Sequence, residues 1–272
     1  MMNRRGVVQA AGMGLLGLAL PQRSLARAAF APIPALIPIN ARADRIFRVT
    51  VCLRPFRAAG PRIESERIAN KLVIHHYGHG GSGWSLSWGS AMEAVPLALQ
   101  AGAREVAVIG AGAIGLTTAL TAQRMGLEVT IYAQDRFPDV RSARATGTWS
   151  PDSRIAMQKS VDAGFAARWE RMARRSFAAY QSFLGRAGDP VEFLDRYSLF
   201  DVPPPAHVDE LVPLPGGGSD SFVFYGDQLR DITPRNELLT ADQHPFAAPF
   251  AQRTTSMSLT SPICPTSLNR TS

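Results

Sequence analysis

The sequence predicts an α/β fold, a doubly wound parallel sheet with part of a mixed α+β domain attached, and three observations carry that expectation. Glu105 to Ile109 is a short apolar run, glycines follow at 110, 112 and 115, and Ala113 to Arg124 is helix-prone until Gly126 stops it. Glu128 to Ala133 then returns to a strand-like pattern. The segment therefore reads strand, glycines, helix, strand, which is the unit that opens a Rossmann-like FAD/NAD(P)-binding domain. Finally, Ala163 to Leu184 is a long amphipathic helix candidate, followed by strand-like Glu192 to Val202 and Ser221 to Tyr225. This second half suggests the start of a mixed layer rather than more of the parallel sheet.

Ahead of that core, Arg4-Arg5 precedes a mostly apolar, glycine-rich run from Gly6 to Leu20, Pro21 ends the run, and Ala26-Arg27-Ala28 offers a small-x-small cleavage site. The paired arginines suit a twin-arginine export signal over residues 1–28, with the export machinery as a partner. The mature chain is then expected in the periplasm or outside the cell, or at a membrane if the segment is retained. No later run reaches the 18 or so apolar residues of a membrane span. Cleavage after Ala28 removes Arg4, Arg5, Arg23 and Arg27 and lowers the formal charge from +7 to +3. The remaining arginines are mixed with acids and form no aromatic-interleaved stripe, which argues against nucleic acid as a partner. Cys52 and Cys264 are the two cysteines, so neither a disulfide framework nor a cysteine metal site is indicated.

Between the ends, Arg45 to Arg54 alternates as a strand, Pro55 and Pro61 bracket a turn-rich link, and Lys71 to His76 is a second short strand. A glycine-rich run, His75-His76-Tyr77-Gly78-His79-Gly80-Gly81-Ser82-Gly83-Trp84, follows. Ala91 to Gln100 is helix-prone, with Pro96 tolerable only near a first turn or at a kink. In the long helix, Phe165, Trp169, Met172, Ser176, Tyr180 and Phe183 recur every three or four residues as a core stripe. Pro203-Pro204-Pro205 and Pro215-Gly216-Gly217-Gly218 read as loops. Thr254 to Ser272 is rich in Ser, Thr, Pro and Asn without periodicity and cannot bury enough surface to offset its ordering entropy. It is expected to be a disordered tail, or the end of a chain that stops before its fold is complete.

The glycine spacing carries the cofactor expectation. Gly110 permits a tight turn, Gly112 lets backbone approach a pyrophosphate, and Gly115 allows close helix–strand packing, with Ile114 beside it in the first helical turn. The helix N-terminus then presents unpaired N–H groups and its positive dipole end to phosphate. Asp135, 25 residues beyond Gly110, is the candidate for the adenosine ribose, and Arg136 or Arg141 for adenine or phosphate. Ser142 to Pro151 is a small-residue loop of the kind that presses against a flat ring and donates backbone N–H groups to it. His75, His76 and His79 do not suggest a metal, since adjacent strand histidines face opposite ways and no cysteine or carboxylate completes a set.

Over roughly residues 48 to 235 the chain resembles the FAD-dependent D-amino-acid oxidase family, and within it the twin-arginine-exported bacterial members. The most specific element is Val73-Ile74-His75-His76-Tyr77-Gly78-His79-Gly80-Gly81-Ser82-Gly83. The resemblance implies that this segment runs past the flavin, its backbone neutralising charge near the N1–C2=O edge, which assigns Gly80, Gly81, Gly83, Trp84 and Ser85 to the cofactor, with His79 hydrogen-bonded near it. Ala145, Thr146 and Gly147 fall in a second flavin-contacting loop. Arg54, in Arg54-Pro55-Phe56-Arg57, corresponds to the arginine that grips the carboxylate of a small amino-acid or related substrate. The family reaction is hydride transfer from the substrate α-carbon to flavin N5, with oxygen as acceptor and peroxide as product.

The resemblance also implies an order. Segments that close the family's usual chain precede the glycine fingerprint here, a circular permutation that neighbouring termini make physically reasonable. The expected partition is 1–28 signal, 29–101 permuted substrate-arginine and flavin-binding segment, 102–160 FAD-binding core, 161–253 long helix and partial substrate domain, and 254–272 tail. Two other functions remain open: an inactive flavoprotein fragment or binding remnant, and an NAD(P)-dependent dehydrogenase using the same fingerprint.

Overall fold

The computed structural model describes residues 42–46, 49–203, 221–223, 225–229, 231–232, 237–240 and 250–259. The chain divides into two units, Met1–Ala41 and Arg42–Ser272. Every element below belongs to the second, and the expected export signal lies outside the described residues.

An antiparallel hairpin comes first, β1 (Arg62–Ile68) paired with β2 (Lys71–Tyr77) across Ala69-Asn70. Ala69 occupies the left-handed region at φ 52°. The Lys71 to His76 strand is present, whereas β1 is a strand without an apolar alternation to announce it. The antiparallel ladder to β2 holds it, and its charged side chains pair alongside. Arg62 donates to Glu64 at 2.5 Å and Glu66 at 3.0 Å, and Glu66 meets His75 Nε2 at 2.8 Å. The His75 contact, then Arg62, holds the Glu66 carboxyl below its ordinary range.

The strand expected over Arg45 to Arg54 does not form. Ala43–Arg45 is a short 3₁₀ turn, and the described residues that follow pair with no strand. Val49, Val51 and Leu53 are 80%, 80% and 76% exposed, so the alternation has no apolar surface to face. The segment is instead pinned at its end, where Gly80 N–H donates to the Pro55 carbonyl at 3.1 Å and Phe56 bridges to His79.

The helix expected from Ala91 begins eight residues earlier, as α1 (Gly83–Gln100), and runs straight through Pro96. Proline removes the N–H that would bond the Met92 carbonyl. Burial on two sides outweighs that loss, because α1 packs against both α2 (Ala113–Arg124) and α3 (Phe165–Gln181). The α1–α3 crossing is close. A Cβ on Gly89 would collide with the Met172 carbonyl, and Gly89 N–H donates to Ser176 Oγ at 2.7 Å.

β3 (Glu105–Ile109) and β4 (Glu128–Tyr132) pair in parallel with α2 between them in sequence. The fold is therefore α/β, containing the opening β–α–β unit of a Rossmann-like domain and a mixed α+β region. Val106 and Val129 pack with Val95 and Ala98 of α1 and with Ala122 and Leu127. In the mixed region β5 (Val191–Phe200) and β6 (Glu237–Thr240) flank β7 (Phe250–Leu259), antiparallel throughout. β7 extends through six residues of the segment read as tail, and its Met257 and Leu259 are buried against Tyr180, Phe177 and Val191. Residues 260–272 lie outside the described residues, as do the Pro204-Pro205 and Pro215 to Gly218 stretches. Ser221 to Tyr225 contributes an isolated bridge, Phe222 to Met157, where a strand was expected.

α3 behaves as its periodicity requires. Phe165, Trp169, Met172, Ser176 and Tyr180 are buried on one face. Arg171 and Arg175 reach Glu93 of α1, and Arg174 reaches Glu170 and Asp231. These surface pairs contribute little, about 0–1 kcal/mol each. The buried stripe carries the packing.

Candidate cofactor and substrate cleft

Both glycine-rich segments open onto one cleft of about 1120 Å³. On one side, β3 ends at Ile109 and the chain turns at Gly110, whose φ of +109° excludes other residues without strain. A Cβ on Gly115 would collide with the Gly110 carbonyl, so the first turn of α2 lies directly on the end of β3. Gly112 precedes α2 and provides no side-chain cap. Gly110, Gly112, Ile114 and Gly115 all line the cleft.

Opposite them, β2 leads through Gly78 and His79 into the N-terminus of α1. Ser82 precedes this helix without capping it, because its hydroxyl donates to the Ser153 carbonyl at 3.1 Å. Side chains at 80 and 81 are excluded by close backbone contact, their Cβ positions falling on the carbonyls of Arg154 and Ser153. Gly80 and Gly81 therefore set the path of the loop. A Cβ on Gly83 would meet only His79 Cβ, at 3.9 Å, so Gly83 is where backbone is open to approach. Two helix N-termini whose preceding residues provide no side-chain cap thus share one cleft, each with first-turn N–H groups outside its own helical bonding.

The remaining residues singled out in the sequence divide clearly. Arg54, His79, Gly80, Gly81, Gly83, Trp84, Asp135, Arg141, Ser142 and Ala145 line the cleft. Ser85, Thr146 and Gly147 do not. Ser85 is buried, and its hydroxyl accepts Ser150 N–H at 2.8 Å. Gly147, at φ 70°, accepts Leu259 N–H at 2.5 Å, which fastens the 145–149 loop to the end of β7. Arg54 is exposed, with its guanidinium 3.5 Å from the Gly81 carbonyl. Asp135, exposed, lies three residues past the end of β4.

Several lining residues were not singled out as contacts, among them Arg144, Cys52 and Thr118. Arg144 reaches the Val51 carbonyl at 3.3 Å, and Cys52 Sγ lies 3.5 Å from the Arg141 carbonyl. Thr118, inside α2, gives no sequence signal at all, since a mid-helix threonine ordinarily bonds back to its own helix. It does so here, donating to Ile114 at 2.7 Å, and it also meets His76 Nδ1 at 2.8 Å. Because the Thr118 proton is spent on Ile114, His76 Nδ1 is the donor and Nε2 the bare acceptor. The adjacent histidines face opposite ways, His75 to Glu66 and His76 inward.

His79 is 1% exposed, lies edge-on to His76 at 5.3 Å, and finds no hydrogen-bond partner for either ring nitrogen among the described residues. Burial depresses both imidazoles, His76 to about 4 and His79 well below its ordinary value, with the neighbouring His76 adding to the effect. Both are neutral in the fold and titrate near 6.5 once unfolded. The unfolded chain then binds more protons below that value, so stability falls as pH drops through 6.5 towards 4. Each imidazole steepens the fall by at most about 1.4 kcal/mol per pH unit. Thermal melts across this window should show His76→Asn losing part of the slope. An unchanged slope would mean that His76 is charged in the native protein.

Comparison with known proteins agrees with this geometry. Residues 105–213 match the family model described as FAD dependent oxidoreductase, DAO. A D-amino-acid oxidase of Dictyostelium discoideum is 53% identical over 51 residues, 18% of this chain and 14% of that protein. A D-aspartate oxidase of Talaromyces thermophilus is 55% identical over 47 residues, 17% and 13% of the two chains.

These similarities are all to the FAD-dependent D-amino-acid/D-aspartate oxidase family.

A third member of that family, a D-aspartate oxidase of Homo sapiens, is 46% identical over 54 residues, 18% of this chain and 16% of the human protein. The matches thus span well under two thirds of these oxidases' own length. No solved structure matches the chain. Among the described residues, no three His, Cys, Asp or Glu side chains gather as a metal site, and no helix is long and apolar enough to cross a membrane.

Proposed function

We propose that this chain binds FAD and oxidises the α-carbon of a D-amino acid or related small carboxylate. The observation that carries the reading is the shared cleft: two helix N-termini open onto it together with Arg54. The residues fit an extended dinucleotide. The cleft volume reaches the upper end of ordinary ligand sites, and the buried, unpartnered His79 beside it leaves polar capacity unused.

The α2 N-terminus and Gly112 would hold the pyrophosphate, and Asp135 the ribose. The α1 N-terminus at Gly83 would hold the electron-rich edge of the ring. FAD, when bound there, would supply the redox chemistry, with oxygen as final acceptor and peroxide as product. Arg54 would grip the substrate carboxylate with its planar fork and so fix where the α-carbon lies. The circularly permuted order is supported by the family match starting at Glu105, the first residue of β3, with residues 1–104 ahead of it. Residues 101–104 suffice to join α1 to β3. Export rests on Arg4-Arg5 and the apolar run after it.

The test is purification with FAD present. The protein should carry the visible flavin band, lose it anaerobically with a D-amino acid, and release peroxide in air. A folded protein without the band after reconstitution would sink the assignment, and retention of NAD(P) in its place would favour a dehydrogenase. Arg54→Ala should keep the band and raise KM for the amino acid on the order of 50-fold, the loss of a charge-assisted pair. An unchanged KM would remove Arg54 from the clamp role.

A further inference from the structure

The two helix N-termini that face the cleft are tied together by side chains, and the tie runs through Trp84. Its indole N–H donates to the Ser142 carbonyl at 2.9 Å. The Ser142 hydroxyl in turn accepts the Ala113 N–H at 3.0 Å, satisfying one of the orphan donors at the start of α2. The same hydroxyl stands 3.3 Å from where a Gly112 side chain would begin, so it also limits the backbone beside the fingerprint. Trp84 itself is held from behind. Its carbonyl accepts the Tyr180 hydroxyl of α3 at 2.6 Å and the Ser87 hydroxyl at 3.1 Å. Tyr180 is fully buried and packs against Trp149 in the core that also receives Met257 and Leu259.

We propose that Trp84 is a positioning residue: through Ser142 it fixes the α1 N-terminus and the α2 N-terminus at one separation, with Tyr180 anchoring it to the core. Helix N-termini bind anions through N–H groups whose directions are set before the ligand arrives. Two such ends serving one elongated ligand need a fixed distance between them. α1 and α2 pack against each other behind the cleft, where Thr117 Oγ1 donates to the Ser87 carbonyl at 3.3 Å, and the Trp84–Ser142–Ala113 link ties their first turns. With Ala113 N–H engaged, the N–H groups of Gly112, Ile114 and Gly115 are left for the ligand. The link would order the 141–144 turn as well, which carries Arg141 and Arg144 on the cleft wall.

This inference rests on the cofactor reading, and its test separates the two. Trp84→Phe keeps the aromatic ring and removes the donor; Ser142→Ala removes the acceptor for Ala113. In the full-length protein, each should weaken FAD binding about fivefold, the effect of one hydrogen bond. The double variant should be little weaker than either single one, because both break the same chain. Hydrogen exchange of the Ala113 amide in the FAD-free protein gives a readout independent of FAD. Trp84→Phe should speed it at least tenfold while the melting temperature stays within a degree or two. Loss of protection in a protein that binds no FAD would keep the link and discard the cofactor. Unchanged exchange, or wild-type FAD affinity in the folded Trp84→Phe variant, would overturn the proposal.

Discussion

Trp169→Ala should cost this protein about 3–5 kcal/mol, roughly a fifth or more of the stability available to a domain of ordinary size. Trp169 is wholly buried on α3, in the cluster formed by Leu86 of α1, Ile155, Ala156, Phe165, Met172, Val223 and Leu229. Its ring lies tilted against Tyr225, centroids 5.1 Å apart, and its indole N–H donates to the Pro151 carbonyl at 2.7 Å. Truncation therefore opens a cavity among groups from separate chain segments and strands a buried carbonyl. Trp169→Phe separates the two terms. It refills most of the cavity, so what remains is mainly the lost hydrogen bond, about 1–2 kcal/mol. Denaturant melts of both variants check the partition. A Trp169→Ala cost below about 1.5 kcal/mol would mean that the surrounding helices collapse onto the vacated space.

The same helix shows why part of this fold was legible beforehand. The α3 stripe has a single period over five turns, so no tertiary information is needed to orient it. The β3–glycine–α2–β4 unit was equally plain, because each glycine has a local steric reason. Other elements depend on partners that no local pattern names. β1 pairs along its whole length with β2, although its Arg62, Glu64 and Glu66 side chains suggest a solvated loop. The 49–54 segment has the alternation of a strand but finds no neighbour to pair with. α1 starts at Gly83 because Leu86, Trp88 and Gly89 are wanted at the contacts with α3 and its surroundings, although Ser and Gly are poor helix formers. β7 contains Thr and Ser in place of an apolar run, and its place between β5 and β6 supplies the ladder bonds that composition could not promise.

The site was legible in a different way. Motif residues marked both walls of the cleft, but sequence does not say whether a glycine serves the ligand or the fold. Gly115→Val and Gly112→Ala should separate those roles sharply. At 115 any side chain meets the Gly110 carbonyl, and Val108 Cγ1 lies 3.7 Å from the first added carbon. Backbone cannot rotate aside as a side chain can, so α2 must lift away from β3. Overpacking of this kind costs about 1–3 kcal/mol, and the displaced α2 N–H groups no longer point where a pyrophosphate would lie. Gly115→Val should therefore emerge from purification partly destabilised and without FAD. At 112 the nearest obstacle is the Ser142 hydroxyl, at 3.3 Å, and a shift of a few tenths of an ångström relieves it. Gly112→Ala should melt within about 1 kcal/mol of the parent while binding FAD more weakly, since the added methyl occupies ligand space. Melting curves and FAD titrations on the two variants decide the matter. If Gly115→Val retains FAD through purification, the close contact between α2 and β3 is not what aims the helix at the cofactor.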